Sequence, residues 1–428
     1  MRKNVCMFVW NHFTNDARVL RECTALSEDN YNVDLICIED PSDPDLPNFE
    51  ERNPNFRVHR VSRYPKTLKL LKNMYSALRR NKILAGITSL SWLVALYFFP
   101  LLVLAVSLIL FSLLKTKLQV VWVRGSIIFG MIKKGFEKKY DFYHSNDLNT
   151  LPQGFVCSKL RLNKKVLIYD SHEVQTSRTG YDSGFYAKME SFFIKKIDSM
   201  IVENHTRAKY NEDLYGFYPY VVHNYPFKLE ETNNDAINLR EILGLPEKEK
   251  ILLYQGGIQT GRGLDKLIQA APYFKEGTLV LIGDGRIKPQ LMQMVKELDL
   301  EDRVKFLPKV PLSDLPKYTR NAYLGFQVLN NVCFNHYSAS SNKLFEYMMC
   351  GVPVVACDFP EIKKVVEDNG TGICVDSHDI NQISVAVNKL VENNELRNEL
   401  GENSKKARSN YNWENEKNEL LNVYSSLI

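Results

Sequence analysis

No two of the eight cysteines in this chain form a C-x-x-C pair. Cys6, Cys23, Cys37, Cys157, Cys333, Cys350, Cys357 and Cys374 are scattered, mostly inside apolar runs. That predicts reduced core thiols in a reducing compartment and argues against a disulfide frame or a zinc site. The eight histidines likewise show no H-x-x-x-H spacing. No repeat of solenoid period is present. No secretory pattern is expected, since Met1-Arg2-Lys3 runs into a strand-like stretch and then polar Asn11 and His12.

Acids are missing from residues 57–82, which hold nine Lys or Arg. Residues 115–139 hold seven basic residues and one acid, Glu137. Between them, residues 83–114 carry no charge of either sign. The net charge of +5 therefore conceals +15 on residues 57–139 and −10 on the rest. With 45% apolar and 25% charged residues, 428 residues predict a globular protein of at least two domains, with a basic collar.

The uncharged run of 32 residues exceeds the roughly 20 that cross a bilayer. Pro100 divides it into halves of 17 and 14 residues. As helices these reach about 25 and 21 Å, each short of the ~30 Å hydrocarbon core. Both flanks are basic, which places both on the cytoplasmic face. A hairpin that dips in and returns is predicted, because strands on either side of it must share one sheet. Lys66, Lys69, Lys72 and Arg79, with Leu68, Leu71, Met74, Tyr75 and Leu78, read as a basic amphipathic helix on anionic lipid. The adjoining apolar run argues against nucleic acid as the partner of this patch.

Elsewhere strand and helix patterns alternate. The first half predicts strands at 5–9, 33–38, 57–61, 142–144, 165–170, 199–203 and 220–223. Helices are expected at 16–26, with Ala17, Leu20 and Ala25 on one side, near 151–160 and near 184–197. After a polar stretch at 226–235, a second series predicts strands at 251–255, 278–282, 304–306, 324–329, 354–357 and 371–375. Charged helices fill 381–427. The expected architecture is α/β, with two Rossmann-like, doubly wound parallel-sheet domains facing a cleft. Residues 1–225 form the first, with the apolar hairpin at 83–114 inserted in it. Residues 226–410 form the second, and a C-terminal helix at 411–428 packs back towards the first.

Ser341-Asn342-Lys343-Leu344-Phe345-Glu346-Tyr347 reads as a polar loop opening a short helix that Gly351 stops before a buried strand. Unpaired N–H groups and the helix dipole favour anions there, and a carboxylate one turn in can accept from sugar hydroxyls. Gln255-Gly256-Gly257 and Arg262-Gly263 follow another strand. Glycines there let the backbone approach a diphosphate, and Arg262 can grip it bidentately. Ile282-Gly283-Asp284-Gly285 is a third strand-to-glycine junction. Asp43-Pro44-Asp45, formally a D-x-D, lies in a Pro-rich loop and reads as a turn.

The order Gly256…Arg262-Gly263, Gly283-x-Gly285, Phe306-Leu307-Pro308-Lys309-Val310 and Asn342-Lys343-Leu344-Phe345-Glu346 resembles the donor domain of family 4 glycosyltransferases, which have the GT-B fold. The resemblance implies that Arg262 binds the donor diphosphate and that backbone near Val310 meets the base. It also implies that Ser341 and Asn342 to Leu344 meet phosphate and sugar, and that Glu346 holds the ribose hydroxyls. Gly256, Gly257 and Gly283 line the same site. Two positions depart from the family pattern: Ser338 stands where a donor-sugar Glu is usual, and Gly257 where a second Arg is frequent. Asn335, His336 and Tyr337 are then the candidates for sugar recognition. In the first half, Asn15-Asp16-Ala17-Arg18 resembles the first helix of these enzymes, making Asn15, Arg18 and Asp147 acceptor-side candidates, with Arg21 as an alternative. His172, in Asp170-Ser171-His172-Glu173, matches a His that contacts the donor sugar.

Together these imply a retaining transfer from an NDP-sugar to an acceptor hydroxyl, a hexosyltransferase-type EC 2.4 activity, with His172, Arg262 and Lys343 as the catalytic set. Arg262, Lys343 and helix dipoles can stabilise the leaving diphosphate in place of a divalent metal, so no metal and no cofactor are expected. The collar and hairpin predict a lipid-linked acceptor at the cytoplasmic face of an anionic membrane, in cell-envelope polysaccharide or glycolipid synthesis. An NDP-sugar epimerase of the same fold and a non-catalytic, membrane-attached sugar-binding subunit are the alternatives.

Overall fold

A computed structural model describes residues 2–177, 184–229 and 237–427. The polar stretch expected as a domain boundary lies partly outside these residues. The chain separates into two units, Met1–Asp170 with Phe192–Ser199, and Ser171–Ser191 with Met200–Ile428.

In the first unit β1 (Lys3–Phe8), β2 (Tyr31–Ile38), β3 (Phe49–Asn53), β4 (Phe56–Val61), β5 (Phe142–Asn146) and β6 (Val166–Ser171) lie in the order β3-β4-β2-β1-β5-β6. All pairings are parallel except that of β3 with β4. The order reverses between β1 and β5, so the ends of these two strands form a switch-point crevice. Helix α1 (Ala17–Glu28) is capped by Asp16, whose carboxylate accepts from Val19 N at 3.1 Å. Its buried face includes Val19, Cys23 and Leu26 together with Ala25 of the expected face, whereas Leu20 of that face is 39% exposed. The i, i+4, i+7 row wins because it meets the sheet.

Four helices occupy the segment between β4 and β5: α2 (Lys66–Arg80), α3 (Lys82–Phe98), α4 (Pro100–Lys115) and α5 (Leu118–Phe136). Pro100 opens α4 at its first turn, where its missing N–H costs nothing. The bend between α2 and α3 is 113°, and that between α4 and α5 is 77°. Ile83, Tyr97, Phe98, Phe99 and Leu101 are all more than half exposed. Among the described residues no single helix is long and apolar enough to cross a membrane, although each bent pair might by length and composition. The sequence pattern missed α5 and the short edge strand β3, whose Phe-Glu-Glu-Arg-Asn has little apolar periodicity.

In the second unit β7 (Ser199–Val202) and β8 (Tyr220–Val221) pair in parallel. A six-stranded parallel sheet follows, from β9 (Ile251–Gln255), β10 (Thr278–Ile282), β11 (Val304–Leu307), β12 (Leu324–Gln327), β13 (Val354–Cys357) and β14 (Gly372–Val375), in the order β11-β10-β9-β12-β13-β14. Both of its faces are buried, which is why its strands are continuously apolar. Leu252, Tyr254, Leu279, Leu281 and Phe326 pack one way, against Leu267, Ile383 and Val387. Ile251, Leu253, Val280 and Ile282 pack the other way, against Leu344, Tyr347 and Ile362. The order reverses between β9 and β12, which opens a crevice at the end of β9.

Candidate active site

Gln255 closes β9 at that switch point, and Gly256 follows with φ +125°. Gly283, after β10, has φ +152°, and a Cβ there would lie 1.9 Å from the Gly256 carbonyl oxygen. The two glycine turns therefore touch, and neither tolerates a side chain. Helix Asn342–Met349 begins beside them, with Ser341 preceding it and Asn342 exposed. Glu346, one turn in, is half-buried; its Oε2 accepts from Gln255 Nε2 at 2.8 Å. Gln255 Oε1 in turn accepts from Thr319 Oγ1 at 2.7 Å. Tyr347 OH completes the brace, donating to Leu253 O at 2.9 Å and accepting from Gln255 N at 3.2 Å. Glu346 is thus oriented by a chain of bonds before any ligand arrives.

Lys343 is buried, with Nζ 4.8 Å from the centre of the Tyr254 ring and 3.5 Å from its hydroxyl. Burial, and then the Arg262 charge, pull its ammonium down to about 7, against the smaller opposing effects of Glu346 and Cys357. Tyr254 is pushed up to about 12, chiefly by burial. Its hydroxyl donates to Gly257 O at 2.9 Å. Arg262 lies half-buried in the same glycine loop. On the next strand, Asp284 accepts from Lys309 N at 2.9 Å, which places Val310 beside this end of the sheet. Gly256, Gly257, Arg262, Gly283, Lys343 and Glu346 thus gather around the ends of β9 and β10, whereas the Leu344 side chain is buried in the core against the sheet.

Ser338 turns away from solvent. It is fully buried, its hydroxyl donates to Phe334 O at 2.8 Å, and it accepts from Arg207 Nε at 3.2 Å. Arg207, on the helix His205–Tyr215, also donates to Glu203 Oε2 at 2.6 Å and to His172 O at 2.5 Å. Asn335 is spoken for as well, accepting from Val174 N at 2.7 Å and donating to Val174 O at 3.0 Å. His172 is therefore fastened, through its backbone and that of Val174, to residues 335–338 of its own unit. Tyr337 remains 38% exposed and contacts the Phe359 ring.

Of the first-unit candidates, Asn15 is exposed. Arg18, the second acceptor-side candidate, is buried. It bonds Glu22 at 2.9 Å and Asp170 at 3.0 Å. Arg21 is buried too. Asp147 adopts φ +62°, a left-handed conformation rare outside glycine, and its N–H donates to Asp170 O at 2.8 Å. Arg18 and Asp147 thus converge on Asp170. Glu22, His144 and Asp170 bring ligand-type atoms within 4.8 Å of one another. The Arg18 guanidinium already supplies a positive charge to both carboxylates of that set, so its donor chemistry does not call for a metal ion. Gln255 and Arg207 were not singled out by sequence reasoning. Gln255 had a signal, as the one polar residue ending the apolar Leu252–Tyr254 run before a glycine; Arg207 had none.

Residues 235–407, which hold the β9–β14 site, match the family model "Glycosyl transferases group 1". The sucrose-phosphate synthase of Thermosynechococcus elongatus superposes with a TM-score of 0.73 at 17% identity, covering 100% of this chain and 99% of that one. The fold is GT-B. Anabaena HepE, solved in complex with UDP-glucose, shares the GT-B fold at a TM-score of 0.70 and 16% identity, over 99% of this chain and 100% of its own. By sequence, the D-inositol 3-phosphate glycosyltransferase of Salinispora arenicola (strain CNS-205) is 29% identical over 203 residues, 44% of this chain. The chain spans 44% of the length of that curated relative.

Proposed function

We propose that this protein is a retaining glycosyltransferase that moves a sugar from an NDP-sugar to a hydroxyl of a lipid-linked glycan. The observation that carries the reading is Glu346, held at 2.8 Å by Gln255 one turn into a helix whose N-terminus adjoins two glycine turns and Lys343. Such a site offers a carboxylate to ribose hydroxyls, and backbone N–H groups and cations to a diphosphate. Similarity to a D-inositol 3-phosphate glycosyltransferase, and in fold to a protein solved with UDP-glucose, supports the same donor class. Arg262 and Lys343 stabilise the charge that develops on the leaving diphosphate, without a metal. His172 meets the donor sugar.

The exposed apolar pair α3 and α4, flanked by basic α2 and α5, supports a membrane-associated acceptor at the cytoplasmic face, in cell-envelope polysaccharide or glycolipid synthesis. The test is a thermal-shift screen of UDP-, GDP- and ADP-sugars, followed by transfer and hydrolysis assays with EDTA. Stabilisation by one donor series, turnover that survives EDTA, and its loss in Glu346→Ala and Arg262→Ala are expected. Turnover unchanged in both variants would overturn the assignment, and epimer formation from donor alone would replace it.

A further inference from the structure

Three basic side chains meet the single glycine loop at residues 256–263. Lys343 packs on Gly256, where a Cβ would sit 3.5 Å from its Cδ and 3.8 Å from its Nζ. His336 packs on Gly261, where a Cβ would sit 2.6 Å from its Cε1. Arg262 belongs to the loop itself. The three come from separate elements: the loop after β9, the short helix Phe334–Tyr337, and the helix Asn342–Met349. Gly261 has φ +79° and Gly263 φ +71°, so the loop stays bare and its backbone can approach a ligand.

His336 Nδ1 lies 3.2 Å from the carbonyl oxygen of Asn330. A carbonyl only accepts, so Nδ1 carries the hydrogen and Nε2 is the nitrogen that gains a proton. The charged and titratable neighbours are Arg262 and Lys343 around His336, and Arg262, Glu346, Cys357 and Tyr254 around Lys343. Burial, then Arg262 and most weakly Lys343, hold the imidazole below its ordinary value, against the opposing effect of its hydrogen bonds to the Asn330 and Gly261 backbone. Burial and Arg262 hold Lys343 at about 7, against the smaller effects of Glu346 and Cys357. Cationic groups crowded together repel one another, and a further anion placed among them restores their protons.

We propose that His336 is a third diphosphate-binding group, and that binding of a nucleoside diphosphate in this loop takes up protons at His336 and Lys343. The inference rests on the nucleotide-sugar reading of the site. The sign follows from the direction of the shifts. Both groups are depressed before binding and raised by the ligand's negative charge, so uptake occurs above the ligand-free values and vanishes where both groups are already charged.

UDP-, GDP- and ADP-glucose, whose doubly esterified diphosphates have no group that titrates in this range, are titrated calorimetrically, and the tightest is taken into buffers of different ionisation enthalpy at about pH 6.5 and about pH 8. Uptake of roughly half a proton or more per site is expected at both. Lys343→Arg, which cannot lose its charge, removes the uptake at the higher pH and still binds. His336→Gln removes the uptake at the lower pH and weakens binding about tenfold, as loss of one charge-assisted contact does. His336→Asn serves as a second variant, and melting curves confirm that each is folded. Binding without uptake in the unaltered protein, or His336 variants with unchanged affinity and uptake, overturns the inference and leaves the nucleotide site standing. Failure of all three nucleotides to bind removes both.

Discussion

Arg207 Nε lies 3.2 Å from Ser338 Oγ, and both side chains are buried. The position that carries a sugar-facing Glu in the resembling family is here a serine engaged with its own unit's interior. Restoring the acid should not restore a sugar contact. Ser338→Glu would bring a second carboxylate to a guanidinium already held by Glu203 and is expected to lower stability by about 2–4 kcal/mol. Ser338→Ala should cost about 1–2 kcal/mol and leave nucleotide affinity intact. Urea denaturation with nucleotide titration checks both. A Ser338→Glu protein with higher kcat/KM for donor and an unchanged midpoint would refute this placement.

Gln255 and Glu346 form the second linked pair. Glu346→Gln should weaken nucleoside binding roughly 10–100-fold, because a carboxylate accepting from hydroxyls is worth about 1.5–3 kcal/mol. Gln255→Leu removes only the brace and should weaken binding about fivefold. Equal losses in the two variants, measured by calorimetry, would mean that Gln255 touches the ligand itself.

Asp34 on β2 accepts from Lys138 Nζ at 2.6 Å, Tyr140 OH at 2.9 Å and His59 Nε2 at 3.2 Å. Burial would raise its carboxyl, yet the three bonds outweigh it and hold the group at about 2. The folded value lies below the unfolded one, so the stabilisation is complete above about pH 4 and disappears as pH falls to about 2. Asp34→Asn should therefore lose ~2 kcal/mol at neutral pH, with the gap to the native protein closing across that window. Denaturant midpoints measured at stepped pH read this directly, and a gap that persists at pH ~2 would count against it.

Helices α3 and α4 have 17 and 16 residues, or about 25 and 24 Å, short of the ~30 Å hydrocarbon core. Trp92 Nε1 donates to Ser107 Oγ at 3.1 Å, which pairs polar groups between the two helices. Deleting residues 83–114 should abolish flotation with anionic vesicles, and Phe99→Lys at the tip should weaken it severalfold. Flotation that survives the deletion would show that the hairpin is not the anchor.

Strand positions in the second unit were legible because a parallel sheet buried on both faces needs continuous apolar runs, and residues 251–255, 278–282 and 354–357 have them. The glycine junctions were legible because a positive φ or a close backbone approach admits almost nothing else. Phe49–Asn53 and Leu118–Phe136 were not, since an edge strand and a helix with little amphipathic pattern carry weak periodic signals.

The sequence by itself determined where the donor-type loops lie, that Glu346 and Lys343 share one helix, and that the apolar run breaks at Pro100. Local chemistry suffices for these, because glycine, proline and helix periodicity act over a few residues. Only the tertiary structure decided that Arg18 is buried on Glu22 and Asp170, that Gln255 aims Glu346, and that Arg207 and Ser338 close on each other. Apart from the i, i+4 pair of Arg18 with Glu22, these join residues 131 or 152 positions apart, or a strand end to a helix 91 residues on. Burial makes each bond obligatory, and no spacing along the chain records which partner folding will supply.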